Sequence, residues 1–333
     1  MTSTEPTPEF EARAKDIHRR WESGELPFQA ALEGMSILAR EAESSGLPAN
    51  QGRVELLLGV MQGYRANLDA SIRHFERARD LFERSKNRKR AIGAILNLGE
   101  SYRLKGDFTR ARQLFHTAYE GAESIGALST QAMAACNEGL MLVSMGRWEQ
   151  ARAMLRRAAE LTERMKVTPT TPDDPRQAEE VDCELYGALA SVALQLGDPD
   201  EAWTCARHSY QMANVIGEPL LIGFANRAMG EALTAVINLA QAPDATALMI
   251  APPLSSDPDD YFRASSDAFQ AIKADGEVAR TMYAHARSLQ VRGRGMMAAR
   301  KLQQAMIIFT RLGMADDAAK AARAQMDVLA VNK

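Results

Sequence analysis

The sequence predicts an all-α chain, a right-handed superhelical solenoid of antiparallel helix pairs. Three observations carry that expectation. A period of 40 residues is set by one small-residue column, Gly59, Gly99, Gly139, Ala190, Gly230 and Ala286, and it is interrupted twice. A hinge column follows it at Ala66, Gly106, Gly146, Gly197 and Gly293. The run after the hinge repeats small or apolar residues at Ser71, Ala111, Ala151, Ala202, Ala264 and Ala298, then at Phe75, Phe115, Leu155, Ala206, Ala268 and Leu302, then at Ala78, Ala118, Ala158, Ser209, Ala271 and Ala305. A fixed period of this length marks stacked supersecondary units that complete one another's cores. Small residues where two helices cross let the backbones approach, and a large side chain of the neighbouring helix fills the seat.

The elements follow in chain order. Residues 8–51 form a divergent N-terminal unit, with Ala31, Met35 and Leu38 in the second-helix columns. Three repeats occupy 52–166. The segment "VTPTTPDDPR" (167–176) reads as a mobile linker, its prolines keeping it out of a helix. Three further repeats span 177–312, the fifth unit being split by an insertion at 241–260 whose apolar "ALMIAPPL" fits either a lid or a packed loop. Residues 313–333 close the chain as a capping helix over the Met297, Met306, Ile307 and Phe309 face, with Asp316 and Asp317 in its first turn suiting the helix dipole. The whole of 1–333 is expected as one solenoid of about fifteen helices, neighbours antiparallel.

At this point the chain resembles the tetratricopeptide-repeat family. In "LNLGESYRLKGDFTRARQLFHTAYE" (96–120) the spacing of Leu98-Gly99, Tyr102, Ala111, Phe115 and Ala118 is similar to that family's signature. The likeness extends over about residues 52–310, with a longer period than the usual ~34 residues and without the closing proline. Long units of this kind resemble the repeats of MalT-like regulators, kinesin light chains and peptide-sensing bacterial regulators.

Composition bounds the function. Of 333 residues, 46% are hydrophobic and 25% charged, as in a folded globular chain. A formal net charge of −3 argues against general affinity for nucleic acid or an anionic membrane. Cys136, Cys183 and Cys205 have no CxxC spacing and read as reduced thiols. The charged N-terminus lacks the apolar core of a signal peptide. The most apolar stretch is interrupted by Glu231, Asn238, Gln241 and Asp244, so no membrane span is expected. The expectation is a cytoplasmic protein, a monomer or weak homodimer.

No chemistry-bearing constellation emerges. There is no phosphate-loop GxxxxGK[ST], no GxSxG and no HExxH, and "CARH" (205–208) reads as a buried cysteine beside a surface histidine. The run "RSKNRKR" (84–90) reads as solvated cations at a helix end. No catalytic residue, metal site or cofactor is expected, and the protein is not read as an enzyme.

What remains is the inner face, lined by the first helix of each unit. Its candidate binding residues are Asn97, Glu100, Arg103 and Asn137, then Arg227, Glu231, Arg280, Tyr283 and Arg287. An amide offers both donor and acceptor to an extended peptide backbone. The family resemblance implies that role for Asn97 and Asn137; simple hydration, or pairing with a neighbour, is the alternative. Arg227, Arg280 and Arg287 make a cationic end suited to a carboxylate or phosphate, unless Glu231 neutralises part of it. The functional expectation is a scaffold that binds a peptide or protein segment in its groove. The competing expectation is a regulatory sensor domain for a small ligand or signalling peptide.

Overall fold

The computed structural model describes residues 4–169, 174–240 and 255–331. Among the described residues there are fifteen α-helices and no strand. The chain divides into two compact units, Met1–Met141 with Arg156–Ala178, and Leu142–Leu155 with Glu179–Lys333. The first contains α1 (Pro8–Glu22), α2 (Phe28–Ser45), α3 (Pro48–Tyr64), α4 (Leu68–Arg84), α5 (Arg88–Leu104) and α6 (Phe108–Ser124), most of α7 (Leu128–Ser144) and the end of α8 (Trp148–Val167). The second contains most of α9 (Asp174–Gln195), then α10 (Pro199–Ile216), α11 (Pro219–Ala240), α12 (Pro258–Ala271), α13 (Asp275–Val291), α14 (Gly295–Arg311) and α15 (Ala315–Val331).

The hinge column has a specific backbone cause. Ala66, Gly106, Gly146, Gly197 and Gly293 all have positive φ, between 57° and 85°. The residue after each donates its N–H back five positions, as in Asp107 to the Tyr102 carbonyl at 2.9 Å and Arg294 to the Leu289 carbonyl at 2.8 Å. That bond satisfies a carbonyl left open at the helix end, and the left-handed residue makes it possible. Asp107 then caps the following helix, its carboxylate accepting from the Arg110 N–H at 3.1 Å. One residue thus closes one helix and opens the next, which keeps the hairpin short. Ala66 holds this conformation at φ 57° with a Cβ in place. Ala66→Gly is therefore expected to stabilise the first unit by about 0.5–1 kcal/mol, read as a higher denaturation midpoint.

The small column lies at helix crossings. A Cβ built on Gly59 would stand 2.6 Å from the Phe75 ring, and one on Gly99 would stand 2.7 Å from Phe115. In the second unit, Gly223 faces Phe269 at 2.6 Å and Gly230 faces Phe262 at 2.9 Å. Each ring lies against a bare backbone, so close packing there requires glycine. The approach is tight enough for hydroxyls to bridge the two backbones. The Ser71 hydroxyl donates to the Gly59 carbonyl at 2.8 Å, Ser209 to that of Cys183 at 2.7 Å, and Ser265 to that of Gly223 at 2.8 Å. Fully buried side chains occupy the second-helix columns of α4, α6, α8, α10 and α14, and Ala31, Met35 and Leu38 do the same in α2.

Several expectations need correction. In α12 the buried positions are Pro258, Tyr261, Phe262, Ser265 and Phe269, while Ala264 and Ala268 are only half-buried and Ala271 is exposed. The insertion removes the fixed count that set the register elsewhere. The prolines of 167–176 do not exclude a helix throughout: α9 begins at Asp174, and Pro175 stands in its first turn, where a missing N–H leaves no bond unmade. The basic run 84–90 straddles two helices, Arg84 ending α4 and Arg88 opening α5. The rest of the 167–176 segment at 170–173, and 241–254 with its choice between lid and packed loop, lie outside the described residues.

The C-terminal helix covers only part of the face expected: Phe309 and Met306 pack in its cluster, and Met297 and Ile307 do not. Met297 is 46% and Ile307 59% exposed, whereas Phe309 is buried. Ala321, Ala324 and Val328 of α15 join Ala298, Leu302 and Ala305 of α14 in one cluster. Alanines on both helices bring them close, and Leu302, Phe309 and Val328 fill the space between, while Met297 and Ile307 lie outside. α11 also departs from the expectation for membrane spans. By length and composition it could cross a bilayer (mean hydropathy 1.3), but 56% of that window is buried inside the protein. Its apolarity serves the seats for Phe262 and Phe269.

Candidate functional site

In the first unit, Asn97 on α5 and Asn137 on α7 occupy the same place in consecutive repeats, and both are half-buried. Neither side-chain amide has a hydrogen-bond partner among the described residues. Most other asparagines are engaged: Asn226 donates to the Ile222 carbonyl at 2.8 Å, Asn214 to that of Tyr210 at 2.7 Å, and Asn67 to the Gln62 side chain at 3.1 Å. A half-buried amide with open donors and acceptor is a ready partner for a peptide backbone. One turn along α5, Glu100 and Arg103 form a two-pronged ion pair, both contacts at 2.6 Å. Their opposite charges largely cancel at close range.

The second unit presents a chain of charges across α11, α13 and α15. Arg227 stacks over the Phe224 and Phe269 rings, 5.3 and 5.5 Å from their centroids, and pairs with Glu277 at 2.8 Å. Arg280 reaches Glu277 at 2.5 Å and Asp317 of α15 at 3.1 Å. Burial alone would raise the Glu277 carboxyl, but Arg280 and then Arg227 outweigh it and hold its pKa down to about 2. Arg280 is correspondingly held above the usual guanidinium range: burial works against its charge, and Glu277 and Asp317 more than offset that.

The expected cationic end of the groove is thus largely neutralised, and by residues other than the one foreseen. Glu277 and Asp317 do this, while Glu231 forms no ion pair among the described residues. Burial pushes the Glu231 carboxyl up, with Arg227 only partly opposing it. Tyr283 is half-buried against the α13–α15 core. Arg287 alone of the three arginines is exposed, and it carries no ion pair among the described residues. Glu277 stands three residues before Arg280 at the start of α13, a helical pairing distance legible in the sequence. The bridge from Arg280 to Asp317 spans separate helices and has no such local signal.

Among the described residues no group of His, Cys, Asp and Glu could hold a metal ion. His285 does meet Asp259 at 2.8 Å, in contact also with Arg292, and Arg294 reaches the same carboxylate at 2.8 Å. The ring stacks flat on Phe262, its centroid 4.8 Å away. Burial first, then the Lys301 charge, push the His285 pKa down to about 4. The imidazole is stacked on Phe262 and bonded to Asp259, which the two arginines also hold, an arrangement that ties α12 to α13. His208, expected at the surface, is half-buried and lies 4.1 Å from the Tyr186 ring centroid.

Stacked helix pairs with glycine-seated aromatics define a helical-repeat protein. Residues 91–164, covering nearly all of α5 to α8, match the tetratricopeptide repeat family model, so the chain contains tetratricopeptide repeats. No curated protein matches it by sequence. Its fold is similar to the apo form of RapI, with TM-score 0.59 and 11% identity over 92% of this chain and 99% of that one. It is similar also to a Rap protein complexed with Competence and Sporulation Factor, with TM-score 0.55 and 10% identity over 97% and 98% of the two chains. The quorum sensor NprR from B. thuringiensis, in its apo form, gives TM-score 0.52 and 12% identity over 91% of this chain and 82% of that one.

Proposed function

We propose that the protein is a binding scaffold, without catalytic activity of its own, that takes an extended peptide or protein segment on the face lined by its first helices. The observation that carries this is the pair Asn97 and Asn137, repeated with the 40-residue period and left with open amides where most other asparagines are engaged. Two amides at equivalent places on consecutive repeats each offer an extended backbone a donor and an acceptor. The second unit offers Arg287 to a carboxylate, while Arg280 is already held by Glu277 and Asp317. The partner is a peptide or protein rather than nucleic acid or membrane, met in the cytoplasm by a monomer or weak homodimer. A sensor for a signalling factor is the second reading. It is supported by the similarity in fold to a quorum sensor and to a Rap protein complexed with such a factor.

A displayed library of extended peptides supplies a ligand to test the site. Asn97→Ala and Asn137→Ala are each expected to weaken the selected peptide about fivefold, since an amide contact contributes about 1 kcal/mol. Selected peptides that bind both variants as they bind the native protein would move the site off the first-helix face.

A further inference from the structure

The chain already holds one extended segment of its own. Residues Thr4 to Thr7 lie outside α1 and cross the starts of α3 and α5. The Asn87 amide donates to the Thr4 carbonyl at 2.9 Å, and the Thr7 N–H donates to the Asn50 side-chain carbonyl at 3.0 Å. Between these two contacts the Glu5 carboxylate accepts from Arg90 at 2.9 Å, and Pro6 is buried. The backbone at Thr7 is extended, with φ −62° and ψ 143°. Asn50 and Asn87 are only 4% and 5% exposed, so their contacts to the segment are made in a desolvated cradle.

These residues form a built site, and it treats the segment as a ligand. Two buried amides read the backbone, one as donor and one as acceptor. Arg90 reads an acidic side chain, and the proline after it is buried. Arg90 is itself oriented by Glu11 at 3.5 Å and by the Phe82 ring, 6.0 Å from its centroid. Asn87 also caps α5, its side-chain oxygen accepting from the Arg90 N–H at 3.1 Å, so the cradle is fixed before any segment arrives.

We propose that the Asn50–Asn87–Arg90 cradle is a docking site for an extended acidic segment of a partner protein, an acidic residue followed by proline, and that Thr4–Thr7 occupies it in cis. Glu5 is 61% exposed at the side chain and Thr4 is exposed, so a competing segment can reach the site from solvent and displace this one. Tethering keeps its local concentration in the millimolar range, so a partner needs more contacts than the segment makes. The site lies in the first unit and does not depend on the Asn97–Asn137 reading.

The test uses the full chain and an acetylated, fluorescent peptide of residues 4–10 as probe, followed by anisotropy. Glu5→Ala in the protein removes one charge-assisted contact from the tethered segment. It is expected to raise probe affinity about tenfold over the native chain. Adding Asn87→Asp keeps an oxygen to cap α5 but removes the donor to the Thr4 carbonyl, and is expected to abolish the gain. A probe with Lys in place of Glu5 is expected not to bind the Glu5→Ala protein, a control in which only the probe changes. Equal probe affinity for native and Glu5→Ala chains, or equal binding of the acidic and lysine probes, would overturn the proposal and leave the segment a fixed part of the N-terminal packing.

Discussion

Replacing Glu277 with alanine is expected to destabilise the second unit by about 2–4 kcal/mol, because two half-buried guanidinium groups lose their shared carboxylate. Arg227 and Arg280 both reach that side chain, at 2.8 and 2.5 Å, and only Arg280 has a second partner in Asp317. Removing one member of such a network leaves the others charged in a site that was desolvated for the set. The same network fixes an acid limb. The two guanidinium groups hold the folded pKa of Glu277 at about 2, below the ordinary value of 4.5. A depressed folded pKa means the folded state holds fewer protons than the unfolded one between those values. The stabilisation is complete above about 4.5 and is lost as pH falls toward 2. Melting curves between pH 7 and pH 3 check both points: the native protein loses stability through that window, and Glu277→Ala loses less of it. Parallel pH profiles for the two proteins would show that the carboxylate contributes no pH-dependent stability.

The larger effect is expected at the glycine seats. Phe115→Ala should cost about 3–5 kcal/mol through the cavity left at a helix crossing. Phe115 is fully buried, and it sits on Gly99, where an added Cβ would stand 2.7 Å from its ring. Gly99→Ala alone should cost about 1–3 kcal/mol by overpacking. The combined variant should cost less than the two added together, since the new methyl enters space that the ring has vacated. Denaturant titrations of the four proteins give the coupling directly. Strict additivity would mean that the ring and the glycine do not share one packing site.

Local features of this fold were legible because each has a local cause. Positive φ at the hinges favours glycine, so the column at Gly106, Gly146, Gly197 and Gly293 is written into the composition, with Ala66 the exception. The glycine seats announce a close approach but not the ring that fills it, and in α12 the register departs from the repeat columns because the insertion breaks the period. The first-helix arginines were legible as residues, whereas their partners were not. Asp317 reads as an ordinary acidic residue at a helix start, and only the fold brings it to Arg280. The Thr4–Thr7 segment has no periodicity at all. Its docking on Asn50, Asn87 and Arg90 depends on residues more than 40 positions away.

The most direct measurement of the binding claim is the behaviour of the Asn97 and Asn137 side-chain amide resonances during titration with a display-selected peptide. Single-residue variants assign the two NH2 signals. Both are expected to shift together and to saturate at the same peptide concentration, because one extended backbone would engage both amides. Saturable binding with both signals unmoved would contradict the account, whatever the affinity of the peptide.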